Sequence, residues 1–239
     1  MNGKEAQDNT PTIHNDGIPR RTALTLGVSL MGLSAMGQTA TGEMTQEIPV
    51  AVSPRKSSPL LVLFQGGDDG QWRIDSIKSV VGESLPLAPK LKVIEGAGSP
   101  TAMDGRWLLR GSTSNVRYTD GNELATLKKL SDPLNRPAAT RAALIPIRKN
   151  DAWWALAQDE RRAIFEEQSH HIAIGIEYLP PIARRLHHGR ELGEPFDFLT
   201  WFEYDPEHTD AFETLVRRLR ATKEWSYVDR EVDIRLSKS

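Results

Sequence analysis

From residue 142 to residue 236 the apolar side chains are spaced for a strand, a helix, two strands, a helix and a final strand. That order constrains the fold more than any other feature of the chain. Ala142 to Ile147 (AALIPI) reads as a buried strand. Asn150 or Asp151 can cap a short helix holding Trp153 and Trp154. Asp159 can cap a longer helix that begins at Glu160 and runs through His171, ended before Pro180-Pro181. Ile182 to Arg190 and Phe196 to Tyr204 flank Gly193-Glu194-Pro195 and predict a hairpin, with Phe196, Phe198, Thr200, Phe202 and Tyr204 on one face. Asp205-Pro206 opens an amphipathic helix carrying Phe212, Leu215, Val216 and Leu219. Val228, Arg230, Val232, Ile234 and Leu236 close the chain at strand period.

The β-α-β-β-α-β order predicts an α+β fold of the ferredoxin-like kind, an antiparallel sheet with helices on one side. Upstream, Leu60 to Phe64 is an apolar run closed by Gly66-Gly67-Asp68-Asp69-Gly70, and Trp72 to Ile77 alternates. A further strand lies within Arg106 to Tyr118, and Asn122 to Leu130 has helical spacing. Residues 59–140 are therefore expected to be a truncated copy of the unit formed by residues 141–239. Residues 43–58 carry no periodicity and read as a linker. Residues 1–42 have the grammar of a signal peptide: Arg20-Arg21 stands before the uncharged stretch Thr22 to Met36, and small residues follow. The arginine pair suggests twin-arginine export, hence a periplasmic location.

The 239-residue chain has no cysteine. Disulfides, thiolate zinc sites, iron–sulfur clusters and covalent haem attachment are excluded, so any metal must be held by His, Asp, Glu or backbone oxygen. A formal net charge of −2 argues against nucleic-acid binding. No segment is both long and apolar enough to be a transmembrane helix, so no membrane association is expected after processing.

Five of the six histidines lie between residues 170 and 208: His170, His171, His187, His188 and His208. Neighbours on a helix point about 100° apart, so at most one of His170 and His171 faces a given cofactor. The positions around His171 (Ile164, Phe165, Ile172, Gly175) are apolar, which suits an axial imidazole beneath a porphyrin and a packed core equally. Glu167 and His170 have the spacing of helix-bundle di-iron sites, but a second such motif and four long helices are missing. Arg184 and Arg185 face opposite sides of a strand, so one of them can point inward, where it would need an anion. Two solvated arginines fit the pattern as well. Lys149, Trp153 and Trp154 could frame a flat, carboxylate-bearing ligand or belong to an ordinary core.

Three stretches together resemble the chlorite dismutase family: TRAALIPIRKNDAWW (140–154), DERRAIFEEQSHHIAIGIEYLPPIARRLHHGRELGEPFDFLTWFEY (159–204) and ATKEWSYVDREVDIRL (221–236). WLLRGSTSNVRY (107–118) is a weaker likeness. The resemblance implies haem b in the C-terminal half, with His171 as iron ligand and Glu224 hydrogen-bonded to the ligand's other nitrogen. It implies Lys149, Trp153 and Trp154 at the edge of the haem, Lys149 near a propionate, with Asn115 and Tyr118 at the same edge. Arg184 would lie over the opposite face, in a distal pocket lined by Thr200 and Phe202. Related coproheme decarboxylases lack that arginine, so the implied activity is conversion of chlorite to chloride and dioxygen. Coproheme decarboxylation, a peroxidase-like activity or haem binding without turnover are the alternatives on the same scaffold. Lys129 to Pro133 lacks the glutamine that some members place near the arginine. A folded length of about 180 residues (60–239) resembles the short branch of the family, which forms homodimers.

Overall fold

Eight antiparallel strands close into a barrel in the computed structural model, which describes residues 60–96, 105–113 and 117–239. The strands are β1 (Leu61–Gly67), β2 (Trp72–Val81), β3 (Lys90–Glu95), β4 (Trp107–Ser112), β5 (Arg141–Lys149), β6 (Ala183–His188), β7 (Phe198–Tyr204) and β8 (Val228–Lys238). Around the barrel they run β1-β3-β2-β8-β5-β7-β6-β4, and β4 returns to β1. Each half of the chain thus arranges its four strands in the same spatial order: fourth, first, third, second.

Strand alternation divides the apolar residues between two cores. One set points into the barrel, where Phe64, Trp72, Leu91, Leu109, Leu144, Leu199, Trp201 and Ile234 pack together. The other set, Ala143, Ile145, Ile147, Phe202 and Tyr204, lies on the outside of β5 and β7. It is covered by Phe212, Leu215, Val216 and Leu219 of helix α5 (Thr209–Arg220). Burying each large side chain is worth about 1.5–3 kcal/mol relative to exposure. Because β5 is covered on both faces, its sequence is a continuous apolar run rather than an alternating one.

The α+β class holds, and the helices do lie outside one part of the sheet. The antiparallel sheet is in addition closed, since β1, β2, β3 and β4 complete the ring between β8 and β6. Strand β3 has no counterpart in the sequence expectation, although Leu91 and Val93 alternate with lysines between Pro89 and Gly96. Phe196 precedes β7 and packs in the barrel interior, not on the face of Phe198, Thr200 and Phe202.

Helix α1 (Gly121–Leu130) is opened by a reciprocal Asp120/Glu123 capping box. Asn150 caps α2 (Asp151–Ala155) through the Trp153 N–H. The long helix expected from Glu160 through His171 is in fact three pieces. Helix α3 (Gln158–Arg162) starts beyond Ala157, so Asp159 is not its cap. It passes into a π-helical stretch, Ala163–Gln168, and the chain then breaks at His170, which has φ +53°. Helix α4 (His171–Ile176) begins immediately after. Glu166 makes the restart possible, because its carboxylate accepts the Ile172 and Ala173 N–H groups at 2.6 and 3.1 Å.

Among the described residues no helix is long and apolar enough to cross a membrane. The expected signal peptide, the expected linker and Asn115 lie outside the described residues.

Candidate active site

A cavity lies between the outer face of the sheet and the segment 163–176, because alternate residues of three neighbouring strands project there. They are Ile145, Ile147 and Lys149 of β5, Arg184 and Leu186 of β6, and Phe198, Thr200 and Phe202 of β7. The cavity has three adjoining lobes, with about 500, 420 and 1010 Å³ of empty space including the part open to solvent. His171 and Thr200 line all three. The size suits an organic cofactor, and the walls are mainly apolar and aromatic.

His171 is fixed from three sides. Its ring stacks on Phe165 at 4.3 Å between centroids, and Trp225 lies parallel on the other side at 6.3 Å. Trp225 belongs to the 3₁₀ turn Lys223–Tyr227 and donates its Nε1–H to buried Glu231 at 2.7 Å. Arg220 of α5 holds Glu231 in turn. The third contact is His171 Nδ1 to Glu224 Oε2, 2.6 Å. Glu224 is buried, and its other oxygen accepts Lys149 Nζ at 2.7 Å. Burial alone would raise the Glu224 pKa, but the charges and hydrogen bonds of His171 and Lys149 outweigh it and hold the carboxyl at about 2. An ionised carboxylate only accepts, so Nδ1 carries the proton and Nε2 is the ring atom left to ligate a metal. Glu167, in the π-helical stretch, and His170, at the break, are both exposed, and among the described residues they form no metal site.

The strand pair of arginines separates as expected. Arg185 projects into the barrel, where its Nε–H donates to His187 Nε2 at 3.1 Å and its guanidinium pairs with Glu95. Arg184 lines two lobes of the cavity, and its guanidinium has no hydrogen-bond or ion-pair partner among the described residues. Desolvation lowers its pKa from the usual guanidinium value, yet an arginine remains cationic. A desolvated cation without a counter-ion is costly unless an anion joins it. Glycine at 175 makes room for this group: a Cβ there would lie 2.6 Å from Arg184 Nη1.

The expected cofactor edge is only partly assembled. Trp153 is fully buried on the cavity wall, with Tyr118 edge-on at 5.8 Å. The Trp153 Nε1–H has no partner among the described residues. Lys149 is also on that wall, but its ammonium is committed to Glu224 rather than to a position where a propionate could lie. The reason is electrostatic, since a buried lysine goes to the buried carboxylate within reach. Trp154 turns away: it bonds Asp197 at 3.2 Å, stacks on Phe198 and carries Arg190 over its ring at 4.0 Å. Thr200 and Phe202 both face the cavity, Phe202 beside Val216 and Leu219. Sequence reasoning missed Arg117, Trp225 and Glu231, which reach the cavity only through tertiary contacts.

Residues 106–239 match the family model described as chlorite dismutase. Chlorite dismutase from Ideonella dechloratans is 31% identical over 121 residues, 50% of this chain and 40% of that protein. The chain therefore spans less than half the length of that relative. The crystal structure of the dimeric chlorite dismutase from Nitrobacter winogradskyi shares 56% identity at a TM-score of 0.70, over 74% of this chain and 99% of that one. Chlorite dismutase from Candidatus Nitrospira defluvii in complex with imidazole is 19% identical, with a TM-score of 0.53 over 75% of this chain and 91% of that one, and shares the fold.

Proposed function

Because this chain belongs to the chlorite dismutase family, we propose that it holds haem b in the three-lobed cavity and converts chlorite to chloride and dioxygen. The observation that carries this reading is Arg184, an unpartnered cation facing the same cavity as an oriented histidine.

The residues fit the cofactor. His171 offers Nε2 to an iron, and Phe165, Trp225 and Phe198 offer flat apolar surface. The unpaired Trp153 Nε1–H is a ready donor to a haem carboxylate. Bound haem would supply a redox-active ferric iron. The chain's own part is orientation and charge. Glu224 fixes the ring plane of His171 and strengthens its donation. Arg184 holds the anion by charge-assisted hydrogen bonds and keeps oxychlorine species near the metal. Thr200 and Phe202 limit the space beside it.

Dioxygen release from the haem-loaded protein on adding chlorite tests the reading. Release that is lost in Arg184→Ala, with the Soret band retained, supports it. A Soret band without dioxygen in the wild type would overturn chlorite turnover and leave coproheme chemistry or haem binding alone.

Three further readings accompany this one. The shared strand order of the two halves supports a duplicated ferredoxin-like unit, residues 59–140 and 141–239, with the first copy truncated. The dimeric Nitrobacter relative supports a homodimer, which light scattering would check. Arg20-Arg21 ahead of an uncharged run supports twin-arginine export to the periplasm, to be tested by following a cytoplasmic-retention phenotype in the double Lys variant.

A further inference from the structure

The largest lobe of the cavity opens beside α1 and extends to His171. Its wall runs from Leu124, Leu127 and Lys128 of α1 to Arg184 and Leu186 of β6. Among the described residues its lining contains three cations, Arg117, Lys128 and Arg184, and no carboxylate. The three are placed differently. Lys128 is exposed and has no hydrogen bond or ion pair among the described residues. Arg117 is partly buried, with its Nε–H on His188 Nδ1 at 3.1 Å and its guanidinium paired with Glu191. Arg184 is the innermost group and has no partner among the described residues.

We propose that this lobe is the route by which a small anion reaches Arg184, with Lys128 at its rim as the residue that selects anions over neutral molecules. The proposal rests on the cavity being the haem site. A cleft lined by one sign of charge between apolar walls focuses the field and raises the local concentration of oppositely charged solutes. Leu124, Leu127, Leu186 and Phe165 supply the apolar walls here. Arg117 is half neutralised by Glu191, so the free charge at the mouth is that of Lys128. The ordinary role of a lysine in the last turn of a helix is to complement the helix dipole. That role would change stability slightly and could not discriminate between ligands.

The experiment uses ferric haem-loaded protein at pH 8 and stopped-flow binding of azide, an anion, and imidazole, a mostly neutral ligand. Lys128→Glu should slow azide association about tenfold at low salt, with the effect fading as ionic strength rises. Imidazole association should be unchanged. Lys78→Glu, the same charge change on exposed β2, should leave both rates alone. Equal slowing of both ligands in Lys128→Glu, or no slowing of azide, would overturn the proposal. The chlorite arm is separate: kcat/KM should fall in Lys128→Glu with kcat retained. If the wild type releases no dioxygen while the azide selectivity holds, chlorite turnover fails and the anion route stands.

Discussion

Nδ1 of His171 and Oε2 of Glu224 lie 2.6 Å apart, although 53 residues separate them in the chain. The contact joins the start of α4 to the turn after α5, and Ser169 strengthens the same junction by accepting the Glu224 N–H at 2.9 Å. A histidine at the first position of a six-residue helix would otherwise be loosely aimed. Glu224, Phe165 and Trp225 supply the aim, while the break at His170 frees the ring from the direction that a continuous helix would impose.

Glu224→Gln should therefore weaken haem binding about 10- to 100-fold, as loss of a ligand's carboxylate partner does elsewhere. It should also lower the stability of the haem-free protein by about 3 kcal/mol, because Lys149 loses its buried counter-ion. Adding Lys149→Met should restore part of the stability but none of the haem affinity. Haem titration and thermal melts separate the two effects.

His170 holds a left-handed conformation that costs an L-residue about 1–2 kcal/mol. His170→Gly should raise the melting temperature or leave it unchanged, and keep the Soret band. His171→Ala should lose the band. Loss of haem in the His170 variant would show that the break depends on that side chain.

Much of this was legible in the residues, and the losses have physical causes. Strands β5, β7 and β8 and helix α5 announce themselves because their apolar spacing is dictated by faces that are fully covered. The closed ring is not legible, since β4 meets β6 at the single pair Ser112 and His188. The break before His171 is equally hidden: the stretch EEQSHH has no glycine or proline, and the side chain that recaps α4, Glu166, lies upstream of the break. Resemblance brought Glu224 and Lys149 forward separately, but not the pair that they form. Two oppositely charged residues 75 apart carry no mark that they will meet in a core.

Trp153→Phe removes the unpaired Nε1–H together with one ring of the buried indole, and keeps a phenyl ring in the wall. Among the described residues no hydrogen bond is lost, so the haem-free melting temperature should fall only by the cost of the void that the smaller ring leaves. Haem affinity should fall about tenfold if that N–H donates to a haem carboxylate, since a hydrogen bond to a charged group is worth about 1.5–3 kcal/mol. An unchanged affinity would mean that the carboxylates bind elsewhere.

Gly175→Ala tests the seat of Arg184. The new Cβ would meet Nη1 at 2.6 Å and Cζ at 3.1 Å, so the guanidinium must move while the helix gains a better former. Stability should hold or rise by about 1 kcal/mol. Dioxygen release should fall severalfold with the Soret band intact, a split that a general folding defect would not give.

His187 predicts how the barrel responds to acid. It is fully buried, and its two nitrogens are committed in the neutral form: Nδ1–H donates to the Leu199 carbonyl at 3.0 Å, and Nε2 accepts from Arg185. Desolvation pushes its pKa from 6.5 down to about 4. Between those values the unfolded chain takes up a proton that the folded barrel refuses. This contribution is therefore fully present above pH 6.5 and is withdrawn as pH falls toward 4, by up to about 3 kcal/mol. Urea melts from pH 7 to pH 4 should show His187→Asn losing less stability than the wild type over that window, with the curves parallel above pH 7. Curves that stay parallel down to pH 4 would mean that His187 takes up its proton as readily inside the barrel as in the unfolded chain.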